Sequence, residues 1–173
     1  ESWSGAVRNE VIDVALRSRE RRDELLRGFR GAPYAFDMVM DIGAYRDMHR
    51  HRRCHQYRQA YSGRLGFEIP DALREAGDAA VYEELMTETL RVASELPSPG
   101  GQYLLPFGAR SRFLFKMDFA EAYYIARLRS GVKGHFSYRR VAWEMKQKLA
   151  QLEPDLGRVL EATPPEVEDP LTR

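Results

Sequence analysis

The densest concentration of groups able to do chemistry lies between His49 and Arg64. There His49, Arg50, His51, Arg52, Arg53, His55, Arg58 and Arg64 are interleaved with Tyr57 and Tyr61. Such a run of cations repels itself unless anions relieve it. Its forks and rings suit an anionic ligand that carries an aromatic ring, since arginine hydrogen-bonds phosphate in pairs and tyrosine or guanidinium stacks on a base. A nucleotide fits that description. A solvated basic strand answered by some of the 26 acidic residues fits the charge as well. A basic RNA-binding module would rest on this cluster alone. His49, His51, Cys54 and His55 are zinc-ligand types, but a dication would enter an already positive environment and no second Cys or matched His pair lies elsewhere, so the spacing argues against a metal. Cys54 as a nucleophile has no further support; a lone thiol reads as a small buried hydrophobe, although neighbouring arginines would lower its pKa.

The elements that must position these groups follow from periodicity. Residues 50 to 62 have little helical pattern and read as a strand with turns. If extended, Arg50, Arg52 and Cys54 share one face and His49, His51, Arg53 and His55 the other. Before them, Val7, Val11, Val14, Leu25 and Leu26 among many charges predict an amphipathic helix from Ser4 to about Phe29, ended by Gly28, Gly31 and Pro33. Phe36, Met38 and Met40 alternate as in a strand, and Asp41 caps a short helix carrying Ile42, Tyr45 and Met48. After them, Ile69-Pro70-Asp71 opens a helix that Gly77 interrupts, and Ala79 to Leu96 forms another, stopped by Pro97-Ser98-Pro99-Gly100-Gly101. Strands are expected at Tyr103–Leu105 and Arg110–Met117, then helices at Phe119–Arg129, Phe136–Gln151 and Asp155–Leu160. The tail from Thr163 to Arg173 is expected to fray. Strands mixed with helices, without regular βαβ alternation or a Rossmann glycine fingerprint, indicate an α+β fold with a mixed or antiparallel central sheet packed with helices.

With 173 residues, 43% hydrophobic and 11% aromatic, the chain suffices for one core and is expected to form a single domain over residues 1–173, with residues 1–33 as an N-terminal helical segment. A net charge of +1 excludes a global basic field for bulk nucleic-acid or membrane binding. Lys116, Lys133, Lys146 and Lys148 are the only lysines among 27 basic residues. Arginine suits planar contacts to phosphate or carboxylate, though a compositional bias explains most of them equally well. The single Cys54 excludes an internal disulfide and fits a reducing, cytoplasmic compartment. No run approaches the ~18 apolar residues of a membrane span. The start at Glu1, without Met or a signal-peptide pattern, is read as a processed or excised chain.

Three further features bear on identity. Arg50-His51-Arg52 matches the opening of the signature Arg-His-Arg-x-x-Ser-x-Asn-x-x-Ser-x-Arg, preceded by the segment Phe36-Asp37-Met38 through Asp41-Ile42 to Tyr45-Arg46-Asp47. Leu105-Pro106 matches the end of an Ala-Arg-x-x-Leu-Pro strand, and Leu128-Arg129 the end of an Asn-x-Arg-Ser-Leu-x-x-Phe-Leu-x-Leu-Arg helix. Over about residues 34 to 160 the chain resembles the flavin-dependent thymidylate synthase family, as a divergent member or one domain of a longer one. The resemblance implies a FAD enzyme of nucleotide biosynthesis that methylates dUMP, taking carbon from methylenetetrahydrofolate and hydride from flavin reduced by NADPH, in a homotetramer with shared sites. By position, Arg50, His51, Arg52, Asp118 and His135 would bind FAD. Ser62, Gly63, Arg64 and Gln102 would bind substrate, and Arg129 would approach the uracil and polarise it as the catalytic residue.

The match departs from the family pattern in places. Read without gaps, the signature serines fall on His55 and Ala60, the asparagine on Tyr57 and the last arginine on Ser62. A two-residue insertion restores Ser62-Gly63-Arg64 and preserves strand phase. Gln102 stands where the strand has arginine, Asp118-Phe119-Ala120-Glu121 where the helix has Asn-x-Arg-Ser, and Gly134-His135-Phe136-Ser137 where Ala-Gln-x-Glu follows. Added carboxylates at Asp118 and Glu121 disfavour a polyanion, which leaves a second expectation: a catalytically degenerate flavin- or nucleotide-binding domain serving as a structural half of a larger assembly. Trp143, Met145 and Leu149 read as core or subunit interface. Tyr123 and Tyr124 could stack on a flavin or be buried against the sheet, and Asp37 and Asp41 read as a general acid/base pair or as cap and strand-edge residues.

Overall fold

A computed structural model describes residues 3–171. Its contacts divide into two compact units: one contains the chain up to Phe36, His51–His55 and everything from Lys116 on, and the other contains Asp37–Arg50 and Gln56–Phe115. Helices combined with a small antiparallel sheet make the fold α+β, as expected.

In the first unit, α1 (Gly5–Leu16) is capped by the Ser4 hydroxyl, which accepts from the Val7 amide. It ends thirteen residues short of the predicted Phe29. From Arg17 to Glu24 no apolar residue offers a face to bury, so nothing repays the ordering of further turns. Instead Arg19 runs to the Tyr123 hydroxyl at 3.0 Å, Leu25 is buried and a 3₁₀ turn at Arg27–Arg30 sets Phe29 against Phe119. The chain's second half supplies α5 (Phe119–Arg129), α6 (Phe136–Leu152) and the short α7 (Pro154–Gly157). In α5, Phe119 through Tyr123, Ile125 and Ala126 are all buried, so this helix is enclosed on nearly every side. Its small residues Ala120, Ala122 and Ala126 permit close helix packing, and α6 contributes Ala142, Met145 and Leu149 to the same core. Helix α7 stops sooner than predicted. Gly157 lies where a Cβ would come within 2.5 Å of Ala150 Cα, and the chain turns there. Arg8 and Arg158 tie α1 to this corner through Asp155 and Asp13, both at 2.7 Å.

Fraying was expected from Thr163 on, but the start of that tail is tied down. The Thr163 amide donates to Ser130 Oγ at 2.8 Å, and the buried Arg139 donates to the carbonyls of Ser130, Pro164 and Val167 at 3.1, 3.1 and 2.8 Å. A buried guanidinium needs acceptors, and the tail provides two of the three. Lys133 adds an ion pair to Asp169 at 2.5 Å. Residues 172 and 173 lie outside the described part.

The second unit contains most of a three-stranded sheet in the order β1-β3-β2, formed by β1 (Pro33–Asp41), β2 (His55–Arg58) and β3 (Arg110–Asp118). Asp37 of β1 pairs with Arg112 of β3, and the Ile42 amide donates to the Ala109 carbonyl, so residue numbers rise on one strand as they fall on the other, as antiparallel pairing requires. Strand β3 alternates strictly: Ser111, Phe113 and Phe115 are buried and Arg112 and Leu114 are exposed. Helix α2 (Ile42–Met48) starts where predicted, because the Asp41 carboxylate accepts from the Ala44 amide at 2.6 Å. It places Met48 and Ala44 in the core and stacks Tyr45 on Phe113 with ring centroids 4.2 Å apart. Helices α3 (Asp71–Glu75) and α4 (Ala79–Glu95) also match the sequence pattern.

The strand predicted at Tyr103–Leu105 is instead a 3₁₀ turn over Gly100–Leu104. A Cβ on Gly101 would lie 2.1 Å from the Ala93 carbonyl oxygen, so the glycine pair serves to press the backbone against α4 and not to begin a strand. Among the described residues no helix is long and apolar enough to cross a membrane, and no group of metal-ligand side chains is gathered.

Candidate active site

The Arg50–Arg52 segment is a turn, and the two faces expected of an extended chain do not exist there. The Cys54 amide and thiol both donate to the His51 carbonyl, at 3.4 and 3.0 Å, closing the loop just before β2 begins. As a result His51 and Cys54 point inward together, while His49, Arg50, Arg52, Arg53 and His55 are exposed.

His51 is the centre of the first unit's polar interior, with 6% of its surface accessible. The Arg129 Nε–H donates to its Nε2 at 2.8 Å. On the other side of the ring, Glu121 Oε1 is 3.5 Å from Nδ1, and this carboxylate is 3% exposed. Arg53 Nη1 lies 3.7 Å from the second oxygen of Glu121, and Arg53 Nη2 lies 3.3 Å from Asp118. The edge of Tyr124 closes on the His51 ring at 5.7 Å, and the Arg129 guanidinium lies over Tyr138 at 5.6 Å from its centroid. Buried charge is costly unless compensated, and here two carboxylates are set among two guanidiniums and an imidazole.

Helix α5 makes this arrangement possible. Asp118 is its N-cap and accepts from the Glu121 amide at 2.8 Å, which fixes the first turn. Glu121, Ile125 and Arg129 then fall at i, i+4 and i+8 and share one face. The turn at His51 inserts its ring between the first and last of them.

The other sequence-predicted positions fall as follows. His135 is exposed and caps α6: its Nδ1 lies 2.8 Å from Ser137 Oγ and accepts from the Ser137 amide at 3.4 Å. Its ring is near Phe136 and Tyr138, with Tyr138 reaching on to Arg129. Arg52 is exposed and has no ion pair among the described residues.

The second unit holds Arg50, Ser62, Gly63, Arg64 and Gln102. Arg50 is 3.4 Å from Asp47. Ser62 Oγ accepts from the Arg64 amide at 3.5 Å, and Gly63 has a φ of 62°, a left-handed conformation that favours glycine. A Cβ there would lie 2.9 Å from Leu90 and 3.3 Å from Leu105, so Ser62-Gly63-Arg64 sits beside the Leu105-Pro106 pair. Arg64 is exposed without an ion pair among the described residues, and Gln102 lies half-buried in the 3₁₀ turn. Arg58 stacks on Tyr61 at 4.1 Å.

The structure gives several of these positions a local role. Asp118 and His135 each cap a helix. Asp37 and Asp41 are not an acid/base pair: Asp37 is held in a bidentate bond by Arg112, which lowers its pKa, and Asp41 caps α2. Tyr123 is buried and Tyr124 largely exposed. Met145 and Leu149 are core, and Trp143 lies under Lys146 at 5.3 Å. Glu121 and Tyr138 join the site without having been candidates in the sequence, and Arg53, one of the basic cluster, gains a specific partner in Glu121. The signal for Glu121 was present in its helical spacing from Arg129 and in its place three residues after a capping aspartate.

A family model described as thymidylate synthase complementing protein matches residues 16–155. The chain is 35% identical over 149 residues to a UPF0159 protein of Chlamydia muridarum, covering 83% of this chain and 28% of that protein. A UPF0159 protein of Chlamydia pneumoniae is 31% identical over 150 residues, 84% of this chain and 28% of the relative. One from Thermoplasma acidophilum is 30% identical over 164 residues, 92% and 32% respectively. The chain thus spans less than a third of the length of the curated relatives it matches. With most of its length matched by the family model, the chain belongs to the thymidylate synthase complementing protein family.

Proposed function

We propose that this chain is a flavin-dependent thymidylate synthase domain that methylates dUMP, using FAD, methylenetetrahydrofolate as carbon donor and NADPH as reductant. The observation that carries the reading is the 2.8 Å bond between His51 and Arg129. It joins the two ends of the family resemblance, the Arg-His-Arg turn and the Leu-Arg helix end, across 78 residues of sequence.

The donor chemistry fits a flavin diphosphate. Arg52 exposes a guanidinium to solvent, and the Asp118 carboxylate is compensated by Arg53. FAD, when bound and once reduced by NADPH, would supply the hydride that takes the transferred carbon to a methyl group. The side chains bind, orient and polarise. Arg129 spends one of its five N–H donors on His51, which leaves four for a ring carbonyl of the uracil. A guanidinium can stabilise charge developing on that oxygen without losing its own proton. Arg64, presented by the Ser62–Gly63 turn, is the proposed contact for the dUMP phosphate. The family's sites are shared between subunits, so Arg64 and Arg129 need not serve the same site within one copy. A single domain, a homotetramer and a cytoplasmic location complete the reading.

One observation favours a second reading. Asp118 and His135 are spent on capping helices, so two positions expected to touch the cofactor are occupied with structure. That suits a flavin- or nucleotide-binding domain that completes a partner's site without turning over by itself.

Purification followed by a visible spectrum tests both. Bound flavin, or flavin taken up on addition of FAD, is expected, and dUMP should perturb its absorbance. A protein that stays colourless with FAD refutes the first reading and the flavin-binding form of the second, leaving only nucleotide binding without flavin. Flavin binding with a dUMP response but no dTMP formed leaves the second.

A further inference from the structure

We infer that Glu121 is a positioning residue: it sets the tautomer of His51 so that the imidazole can hold Arg129. This rests on Arg129 being the uracil-facing group. The inference begins with a donor count. The Arg129 Nε carries a hydrogen and lies 2.8 Å from His51 Nε2. Guanidinium has no acceptor, so Nε2 must present its lone pair, and the ring proton must sit on Nδ1. Nδ1 is the nitrogen that faces Glu121, 3.5 Å from Oε1. The carboxylate favours a proton on the near nitrogen, and that choice frees the far one to accept. With the opposite tautomer, two N–H groups would point at each other and Arg129 would lose its anchor.

Burial gives the arrangement its force. His51 and Glu121 are each almost wholly enclosed, so water cannot substitute for either partner. The edge of Tyr124 limits rotation of the ring, and the Asp118 cap fixes the turn from which Glu121 projects. A carboxylate that orients an imidazole, which in turn orients the group touching substrate, is the usual logic of outer-shell partners. Arg53 provides the competing account. Its Nη1 lies 3.7 Å from Glu121 Oε2, and on that account the carboxylate serves simply to neutralise the cation.

The two accounts differ for Glu121→Gln. Glutamine keeps an oxygen able to accept from Nδ1–H but loses the charge. Glu121→Ala loses both. The imidazole nitrogens of the chain's four histidines are read by ¹⁵N NMR without any ligand, at a pH of about 8, above the ordinary imidazole range. In the native protein His51 should show a protonated Nδ1 and a bare Nε2. Glu121→Ala should shift it to a mixture or to the Nε2–H form, and Glu121→Gln should restore most of the native signal. A native His51 protonated on Nε2 overturns the inference, as does an unchanged spectrum in Glu121→Ala. Equal disturbance by Ala and Gln assigns Glu121 to Arg53 and also overturns it. If the Ala variant does not fold, the native spectrum and the Gln variant still decide. A second arm titrates the FAD-loaded protein with dUMP: affinity should fall about tenfold in Glu121→Ala and recover in Glu121→Gln. Absence of any dUMP response in the native protein refutes the proposed function and leaves the tautomer result standing.

Discussion

The residues that matter most here are charged groups that the fold has enclosed, and each answers to a specific partner. Arg129→Ala should abolish the dUMP-induced change in the flavin spectrum, because it removes the proposed donors to the uracil. Arg129→Lys should restore little, since a point charge has no Nε–H to give His51 while also forking to a carbonyl. A dUMP response that survives Arg129→Ala would mean that binding rests on a phosphate contact alone, with Arg64 the first candidate. Arg139 makes a separate prediction that concerns stability only. It is buried and donates to three carbonyls, two of them in the tail. Arg139→Ala strands those acceptors and should cost about 3 kcal/mol in urea unfolding. It should also release residues 163–169 to proteolysis before the rest of the chain unfolds.

At the scale of elements, caps and close approaches decide where helices start and where the chain turns. Asp41 and Asp118 do the same work at α2 and α5, and Asp41→Ala should lower stability by about 1 kcal/mol. Gly101 and Gly100 form a natural contrast within one turn. A methyl on Gly101 would meet the Ala93 backbone at 2.1 Å, whereas one on Gly100 meets nothing within 4 Å. Gly101→Ala should therefore cost on the order of 3 kcal/mol, because backbone cannot swing aside as a side chain can, and Gly100→Ala should stay within roughly 0.5 kcal/mol. Thermal melting of the two variants side by side checks this. Equal melting points would mean that α4 and the 3₁₀ turn can separate at little cost.

For the molecule as a whole, burial sets its response to alkali. The phenols of Tyr34, Tyr82 and Tyr123 are all pushed above their ordinary 10.0 chiefly by burial, with Glu153, Asp41 and Glu161 respectively adding to the rise and Arg19 opposing it at Tyr123. A phenol whose folded pKa exceeds its unfolded one favours the folded state below pH 10, and that contribution is lost as pH climbs through the raised values. Tyrosinate absorbance should then show three of the nine tyrosines ionising late, with unfolding following, whereas the chain in urea should titrate as one class. Coincident curves in buffer and urea would refute it. Toward acid the sign reverses: Asp37 beside Arg112 and Asp169 beside Lys133 have lowered values, so their contribution is present at neutral pH and fades as pH falls through those depressed values.

What the sequence determined by itself was local. Asp41 before Ile42, the alternation of β3 and the runs that became α4, α5 and α6 are legible because capping, a period of two and a period of 3.6 need only near neighbours. The short motifs Arg50-His51-Arg52 and Leu128-Arg129 sufficed for the family. Tertiary structure decided the rest. Whether Arg17–Phe29 continued a helix depended on a face to bury, and Tyr103–Leu105 failed as a strand because Gly101 was needed against α4. Inward placement of His51 between two exposed arginines required a partner 78 residues away. Glu121, a departure from the family pattern in the sequence, is in the structure the carboxylate that faces that histidine, since burial turns an apparent intruder among arginines into their counter-charge.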